Sequence, residues 1–420
     1  MQTFDEPSWR TVKILIYGEY FLPSIGGVQT SMNDLARGLV EQGAHHKNDE
    51  QLKRFDVTVA TMTPAEGMDD ELLPYRVVRQ PKFRRLLKLV RNSDVVHLEG
   101  PCLLPMMIAL LFGVPVVIEH HGYQAICPNG LLLIEPAKAV CPGYFRQRRY
   151  AKCVLCTSQT MGSWDGIRSV LLTFPRRWLC KSVAANVMVT GHVDMRLTLP
   201  RNTTIYHGIG EGKSGSSKTT MPRNGNLGIA YVGRLVSEKG LFVLLDAAKQ
   251  LKDAGYSFKL DIIGDGPERR ELERLADKLG LESIVRFTGD LRGSDFERAV
   301  NDVTAVVMPS VCEETAGLSA IEQMMRGGVV IVSDIGGLGE VVGDAGLKFA
   351  PGSSRALAEC IEKVIVDPLL AHSLGAMARE RAMRYFKLDR MVQSYVQIYE
   401  RLFRASSKSG RYEIVDQRRE

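Results

Sequence analysis

The sequence predicts an α/β protein made of two doubly wound, parallel-sheet domains that face each other across a cleft. Three observations predict it. The chain has 420 residues, more than the roughly 250–300 at which a single hydrophobic core stops growing. Short β-branched runs alternate with helix-period segments in both halves, the pattern of parallel strands covered by helices. A polar stretch, GIGEGKSGSSKTTMPRNGN (208–226), divides the two series as an exposed linker would.

The strands follow in order. The first series reads KILIYG (13–18), DVTVAT (56–61), DVVHLE (94–99), PVVIEH (115–120) and ANVMVTG (185–191). The second reads LGIAYVGR (227–234), KLDIIGDG (259–266), VRFTGD (285–290), AVVMPS (305–310) and GVVIVSD (328–334). These runs place a Rossmann-like domain at 1–206, with a Cys-rich insertion at 127–156, and a second Rossmann-like domain at 207–385. Residues 386–405 read as a helix packing back toward the first domain, and 406–420 as a flexible tail. The longest apolar run, CLLPMMIALLFGVPVVI (102–118), is divided by Pro105, Gly113 and Pro115. It reads as a buried helix followed by a core strand, not as a membrane span. VKILIY (12–17) is too short for a secretory signal and leads into a Gly-rich turn, so a reducing cytosol is the expected compartment.

Charge is uneven. Residues 1–200 hold 23 Lys and Arg against 18 Asp and Glu, whereas 201–420 hold 31 against 30. The surplus sits in runs such as KFRRLLKLVR (82–91) and FRQRRYAK (145–152). No recognised module or aromatic platform accompanies them, which argues against nucleic acid as a partner. The runs suit a solvated face or a peripheral contact with an anionic membrane at its inner face, assisted by apolar residues of IRSVLLTFPRRWLCK (167–181).

The segment CEETAGLSAIEQMMRGG (312–328) carries the chemistry. It follows a strand, and Gly317–Leu318–Ser319 begins a helix that Gly327 or Gly328 ends. Free amides and the positive dipole end at that N-terminus favour an anion such as a diphosphate. Glu314 stands on the loop before it and Glu322 on an early turn. A carboxylate accepts two hydroxyl hydrogen bonds, so one acid can hold a ribose diol and the other a sugar, with the phosphates between. YVGRLVSEKG (231–240) sets Arg234 past a strand end and Lys239 before the next helix, two cations suited to a diphosphate leaving group. In YFLPSIGGVQTSMNDLARGLVEQG (20–43), Gly26 and Gly27 open an amphipathic helix and let backbone approach a ligand. The G-x-G-x-x-G dinucleotide signature does not follow the first strand.

Together with IIGDGP, FTGDL and SDIGGLGEVVGDAGLKFAP (333–351), these segments resemble the family-4 retaining glycosyltransferases of the GT-B fold over nearly the whole chain. The resemblance implies a nucleotide-sugar donor (a UDP- or GDP-sugar) held mainly by the C-terminal domain. It also implies a glycan, lipid-linked or small-molecule acceptor held by the N-terminal domain, and transfer with retention of anomeric configuration. Carried over by position, Arg234 and Lys239 contact the diphosphate, Glu322 the ribose and Glu314 the donor sugar. The amides near Gly317, Leu318 and Ser319 contact phosphate and sugar, and Gly26 and Gly27 line the diphosphate from the other domain. His121 in EHHGY (119–123) matches the histidine that contacts the sugar, His120 being its off-register neighbour. Thr190 occupies a position often held by serine. His97 also matches a family position, but reads as structural.

Two segments depart from the family pattern: Thr315–Ala316–Gly317 lacks an aromatic, and His207–Gly208–Ile209–Gly210 replaces the usual hinge Asn-Gly-Ile/Val-Asp. No Asp-x-Asp motif occurs, so Arg234, Lys239 and the helix dipole are expected to neutralise the diphosphate without a metal. A nucleotide-sugar epimerase and a non-catalytic sugar-nucleotide-binding protein are the alternatives.

Cys127, Cys141, Cys153 and Cys156 fall within thirty residues. In a reducing compartment such clustering favours metal over disulfides, and four thiolates suit a structural zinc. An iron–sulfur cluster, a redox pair and unligated core cysteines stay open beside it.

Overall fold

The computed structural model describes residues 11–24, 26–45, 55–134, 137–210, 227–301 and 303–408. Most of the predicted linker (211–226) and of the predicted tail (409–420) lies outside them. The chain forms two parallel sheets. The first contains β1 (Val12–Gly18), β2 (Phe55–Thr61), β3 (Arg76–Arg79), β4 (Val95–Glu99) and β5 (Val116–His120). A small antiparallel hairpin follows, β6 (Leu133–Ile134) with β7 (Ala139–Val140). Then β8 (Ala185–Met188) and β9 (Asn202–Thr204) complete the first sheet in the order 3-2-1-4-5-8-9. The second sheet contains β10 (Leu227–Val232), β11 (Phe258–Ile263), β12 (Val285–Gly289), β13 (Ala305–Met308), β14 (Val329–Ser333) and β15 (Leu347–Phe349). Its order is 12-11-10-13-14-15.

The residues explain the sheets. Val329, Val330, Ile331 and Val332 are all fully buried, as a strand covered on both faces requires. Each such side chain contributes on the order of 1.5–3 kcal/mol on leaving water. Within the two parallel sheets, the strands the sequence reading did not identify, β3, β9 and β15, are short and flank those cores. β3 and β9 are sheet edges, where charged and polar residues discourage further pairing and hide the strand signal. In β3, Arg79 pairs with Asp70 at 2.7 Å and donates to the carbonyls of Leu22 and Thr63.

The apolar run at 102–118 divides into a helix, Leu103–Leu111, and strand β5. The expectation of a buried helix holds for one face only: Met106, Ile108 and Ala109 are buried, while Leu104, Met107 and Leu111 are exposed. Among the described residues no helix is long and apolar enough to cross a membrane.

The chain leaves the first domain near Ile205–Ile209 and returns at Phe386–Leu388. The two crossings are tied together, because the Ile209 amide donates to the Phe386 carbonyl (2.8 Å) and the Leu388 amide to the Ile209 carbonyl (3.2 Å). The helix Leu388–Lys408 then packs Met391, Tyr395, Tyr399 and Phe403 into the core of the first sheet. Tyr399 is fully buried and its hydroxyl lies 2.6 Å from His97 Nδ1. Tyr399→Phe leaves that ring nitrogen without its partner, and is expected to cost about 1–3 kcal/mol, read as a lowered midpoint in denaturant melts.

Candidate active site

Both sheets reverse strand order once, between β1 and β4 in the first and between β10 and β13 in the second. Ligands bind outside the carboxyl ends of strands at such points. A cleft of about 380 Å³ lies there. Its wall takes Gly18, Glu19 and Tyr20 from the end of β1, Gly26 and Gly27 from the next loop, Glu99 and Gly100 from the end of β4, and His121 after β5. Arg176 and Arg234 complete it, the latter from the loop after β10 in the other domain. A second groove, of about 560 Å³ between β9 and the C-terminal helix, holds none of the predicted site residues.

Lys239, Glu314, Leu318 and Glu322 do not line this cleft but stand on the adjoining loops and helix. The ammonium of Lys239 donates to Glu314 Oε1, which also accepts from Ser310 Oγ at 2.7 Å. Burial alone would raise the Glu314 carboxyl, but Lys239 outweighs it and holds Glu314 below the ordinary range. Burial pushes Lys239 down, and Glu314 in turn brings it above its ordinary value. The pair is therefore fully ionised at neutral pH.

The helix Leu318–Met325 starts from Gly317, whose φ of +82° is the left-handed conformation that suits glycine. Ser319 Oγ donates to the Val232 carbonyl at 3.0 Å, so its side chain fastens the helix to β10. Leu318 reaches the opposite domain: a Cβ on Gly27 would stand 2.9 Å from Leu318 Cδ1. Glu322 sits half-buried on the second turn. Arg234 is 70% exposed, with Glu238 Oε1 at 4.0 Å.

His121 is held by Glu99 Oε2, with Glu119 Oε1 at 3.7 Å. Its ring stacks on His207, centroids 5.2 Å apart and planes 5° from parallel. His207 Nδ1 shares a hydrogen bond with Ser31 Oγ at 3.0 Å. His97 Nε2 lies 3.5 Å from both Glu99 Oε1 and Glu119 Oε2, within ion-pair reach but too far for a hydrogen bond. Burial would depress His121, yet Glu119 and Glu99 raise it above its ordinary value. His97 is likewise raised, to about 9, by the same two acids against burial. Burial takes His207 and His120 down to about 4. Two imidazoles whose affinity for a proton is raised thus face two buried carboxylates. Glu119, His121 and His207, and likewise His97, Glu99 and Glu119, bring ligand atoms within 4.8 Å of one another and form the groups that could hold a cation.

The predicted residues thus divide into two sets. Gly26, Gly27, His121 and Arg234 share one cleft, and Lys239, Glu314, Gly317, Leu318, Ser319 and Glu322 form the loop and helix that meet it at Gly27. His120 lies inside the sheet, where its Nε2 meets Asn186 Oδ1 at 2.9 Å. Thr190 caps the helix Gly191–Leu197, accepting from the Val193 amide at 3.4 Å, and donates to the Thr315 carbonyl at 2.7 Å. The sequence reading missed Glu99, Glu119, Arg176 and His207. His207 was visible only as a departure at the hinge, and that departure supplies the ring stacked on His121.

The same loop closes the domains on each other. Thr315 Oγ1 donates to the His121 carbonyl at 3.2 Å, and Arg196 Nε to Glu313 Oε2 at 2.9 Å. Glu340 accepts from the Gly191 and His192 amides (2.8 and 2.7 Å) and from the Tyr206 hydroxyl (2.7 Å).

The four clustered cysteines do gather. Burial raises the Cys153 thiol to about 12, helped by Cys127, Cys141 and Cys156. They do not reach the spacing expected of one zinc: the donor groups within 4.8 Å among the described residues are the His–Glu ones. Asn129 stands among the sulfurs, its Oδ1 accepting from Cys127 Sγ at 2.9 Å and its Nδ2 3.8 Å from Cys156 Sγ.

The sequence model of "Glycosyltransferase Family 4" matches residues 25–164, and that of "Glycosyl transferases group 1" matches 218–381. The chain belongs to the family-4 glycosyltransferases. It is 36% identical over 150 residues to the 2-deoxystreptamine glucosyltransferase of Streptomyces kanamyceticus, covering 35% of this chain and 38% of that one. It is 32% identical over 180 residues to a glycogen synthase of Mycobacterium tuberculosis, covering 42% and 43%. The matches thus span about two-fifths of these curated relatives. The GT-B fold is shared with sucrose-phosphate synthase from Thermosynechococcus elongatus (TM-score 0.72, 19% identity, 94% and 100% of the two chains). It is also shared with Anabaena HepE solved with UDP-glucose (TM-score 0.68, 17% identity, 94% and 99%).

In this family-4 chain the elevated histidines link the site to pH. The stabilisation from His97 is complete below about pH 6.5 and is lost as pH rises through about 9, so melting midpoints should fall across that window. Glu99→Gln is expected to lower the midpoint of the His121 ring titration followed by NMR. An unchanged midpoint would show that Glu99 does not control this ring.

Proposed function

We propose that the protein moves a sugar from a nucleoside diphosphate sugar to an acceptor hydroxyl with retention of anomeric configuration. The observation that carries this reading is the single cleft at the carboxyl ends of both sheets, with the Gly26–Gly27 backbone and His121 on one wall and Arg234 on the other. The UDP-glucose named with HepE and the glucosyl transfer named for the Streptomyces relative favour a UDP-hexose donor.

In this reading the acceptor oxygen bonds to the anomeric carbon from the face that the diphosphate leaves. The bond from that carbon to the diphosphate oxygen breaks, and the acceptor's proton passes to the departing oxygen. The products are a glycoside and a nucleoside diphosphate. Charge builds on the leaving group, and preorganised cations lower the barrier most effectively there. Arg234 supplies one exposed guanidinium, and the amides after Gly317 a second set of donors. Lys239 has three N–H donors and spends one on Glu314, so it can hold that carboxylate and a phosphate oxygen together. Glu314, kept ionised, accepts sugar hydroxyls and is not placed as a proton donor. His121, its proton affinity raised by Glu119 and Glu99, adds an imidazole at the cleft wall.

Incubating the protein with UDP- and GDP-sugars, with and without acceptors, separates this reading from its rivals. Transfer supports it, interconversion of the sugar indicates an epimerase, and tight binding without turnover indicates a binding protein. Glu322→Ala is expected to weaken donor binding at least about tenfold in calorimetry, and Arg234→Ala chiefly to lower kcat. For the cysteine group we propose a structural zinc for which the Asn129 contacts give way; about one equivalent in protein purified without chelator supports it, and less than about 0.2 removes it.

A further inference from the structure

Thirteen of the twenty-one exposed large apolar side chains among the described residues lie from Phe83 to Trp178. They are concentrated on neighbouring helices. On the helix Ser163–Cys180, Trp164, Ile167, Leu171, Phe174 and Trp178 recur at intervals of three and four, which aligns them along one side of the helix. The adjoining side carries Gly166, Val170, Thr173 and Cys180, all buried. This helix therefore has two apolar faces, and the protein covers only one. The helix Leu103–Leu111 packs beside it and shows the same pattern, with Leu104, Met107 and Leu111 exposed. Trp164 and Trp178 are 77% and 67% exposed, an unusual loss for residues whose burial is worth so much.

The surroundings are basic. Residues 121–193 contain nine Lys and Arg but only two acids, Glu135 and Asp165. The helix Phe83–Arg91, packed against Leu103–Leu111, adds Arg84, Arg85, Lys88 and Arg91 with no acid. Its Arg91 guanidinium lies 4.9 Å from the Phe112 ring centre, joining the charged helix to the apolar one. A second copy of this chain would oppose two strongly positive faces. An anionic surface with an apolar interior satisfies both features.

We infer that the outer face of the helices Leu103–Leu111 and Ser163–Cys180 docks on an anionic lipid bilayer, with Trp164, Leu171 and Trp178 entering the headgroup–acyl boundary. The face belongs to the same framework as the cleft. Arg176 on the second helix, and Gly100, Pro101 and Cys102 leading into the first, all line the cleft wall. Docking would bring the N-terminal side of the cleft beside the lipid surface. It needs neither donor nor turnover, so it stands or falls separately from the proposed reaction.

The test is flotation of the full chain with vesicles of phosphatidylcholine containing about 30% phosphatidylglycerol, beside vesicles of phosphatidylcholine alone. Binding to the anionic vesicles is expected, with a blue shift of tryptophan emission and weakening at high salt. The triple variant Trp164→Ser, Leu171→Ser, Trp178→Ser should lose at least about tenfold in partitioning while keeping its melting midpoint, since the three side chains are exposed. Arg84→Glu with Arg85→Glu should lose the preference for anionic vesicles. Equal binding to both vesicle types, or undiminished binding by the folded triple variant, overturns the inference. A wild type that is dimeric and a triple variant that is monomeric by light scattering, with no vesicle binding, assigns the face to a second copy instead.

Discussion

Two carboxylates are buried at the ends of β4 and β5, and the molecule must neutralise them. A buried charge is tolerated only when it is paired. The pairing of Glu99 and Glu119 with His97 and His121 meets that need and fixes several distant parts of the chain. His97 meets Tyr399 on the C-terminal helix, so the chain's last described helix is anchored to the same network. His207, 3.6 Å from Glu119 Oε1, comes from the crossing between domains. His121 faces the cleft. One electrostatic requirement thereby orients the site histidine, the hinge and the returning helix together.

The second constraint is the loop Glu313–Glu314–Thr315. Its three side chains serve three purposes: Glu313 holds Arg196 of the other domain, Glu314 holds Lys239 within its own, and Thr315 reaches the backbone of His121. The adjacent Gly317 turns the chain into the helix whose first residue, Leu318, abuts Gly27. The segment proposed to bind a donor therefore also contacts the domain proposed to bind an acceptor.

Much of this was legible in the sequence. Fully buried strands such as Val329–Val332 announce themselves because parallel sheets need continuous apolar runs. The Gly317 turn and the Arg234, Lys239, Glu314 and Glu322 positions were legible because special backbone geometry and charge at strand ends leave short local patterns. The His–Glu network was not, because its members come from β4, β5 and a crossing 86 residues beyond His121, and only tertiary packing shows that they meet. The exposed stripe of the helix Ser163–Cys180 was half-legible: periodicity reveals apolar faces but not which of two the protein covers. The cysteine spacing suggested a tetrahedral set, yet Asn129 lies among the sulfurs, a contact no spacing rule contains.

The paired crossings at Ile209 and Phe386–Leu388 carry a mechanical consequence. Two separate tethers would allow the lobes to slide or splay in several directions. Laced to each other by backbone hydrogen bonds, the two crossings resist being displaced separately. A shift at one crossing is therefore passed to the other, so the two lobes share one joint and not two.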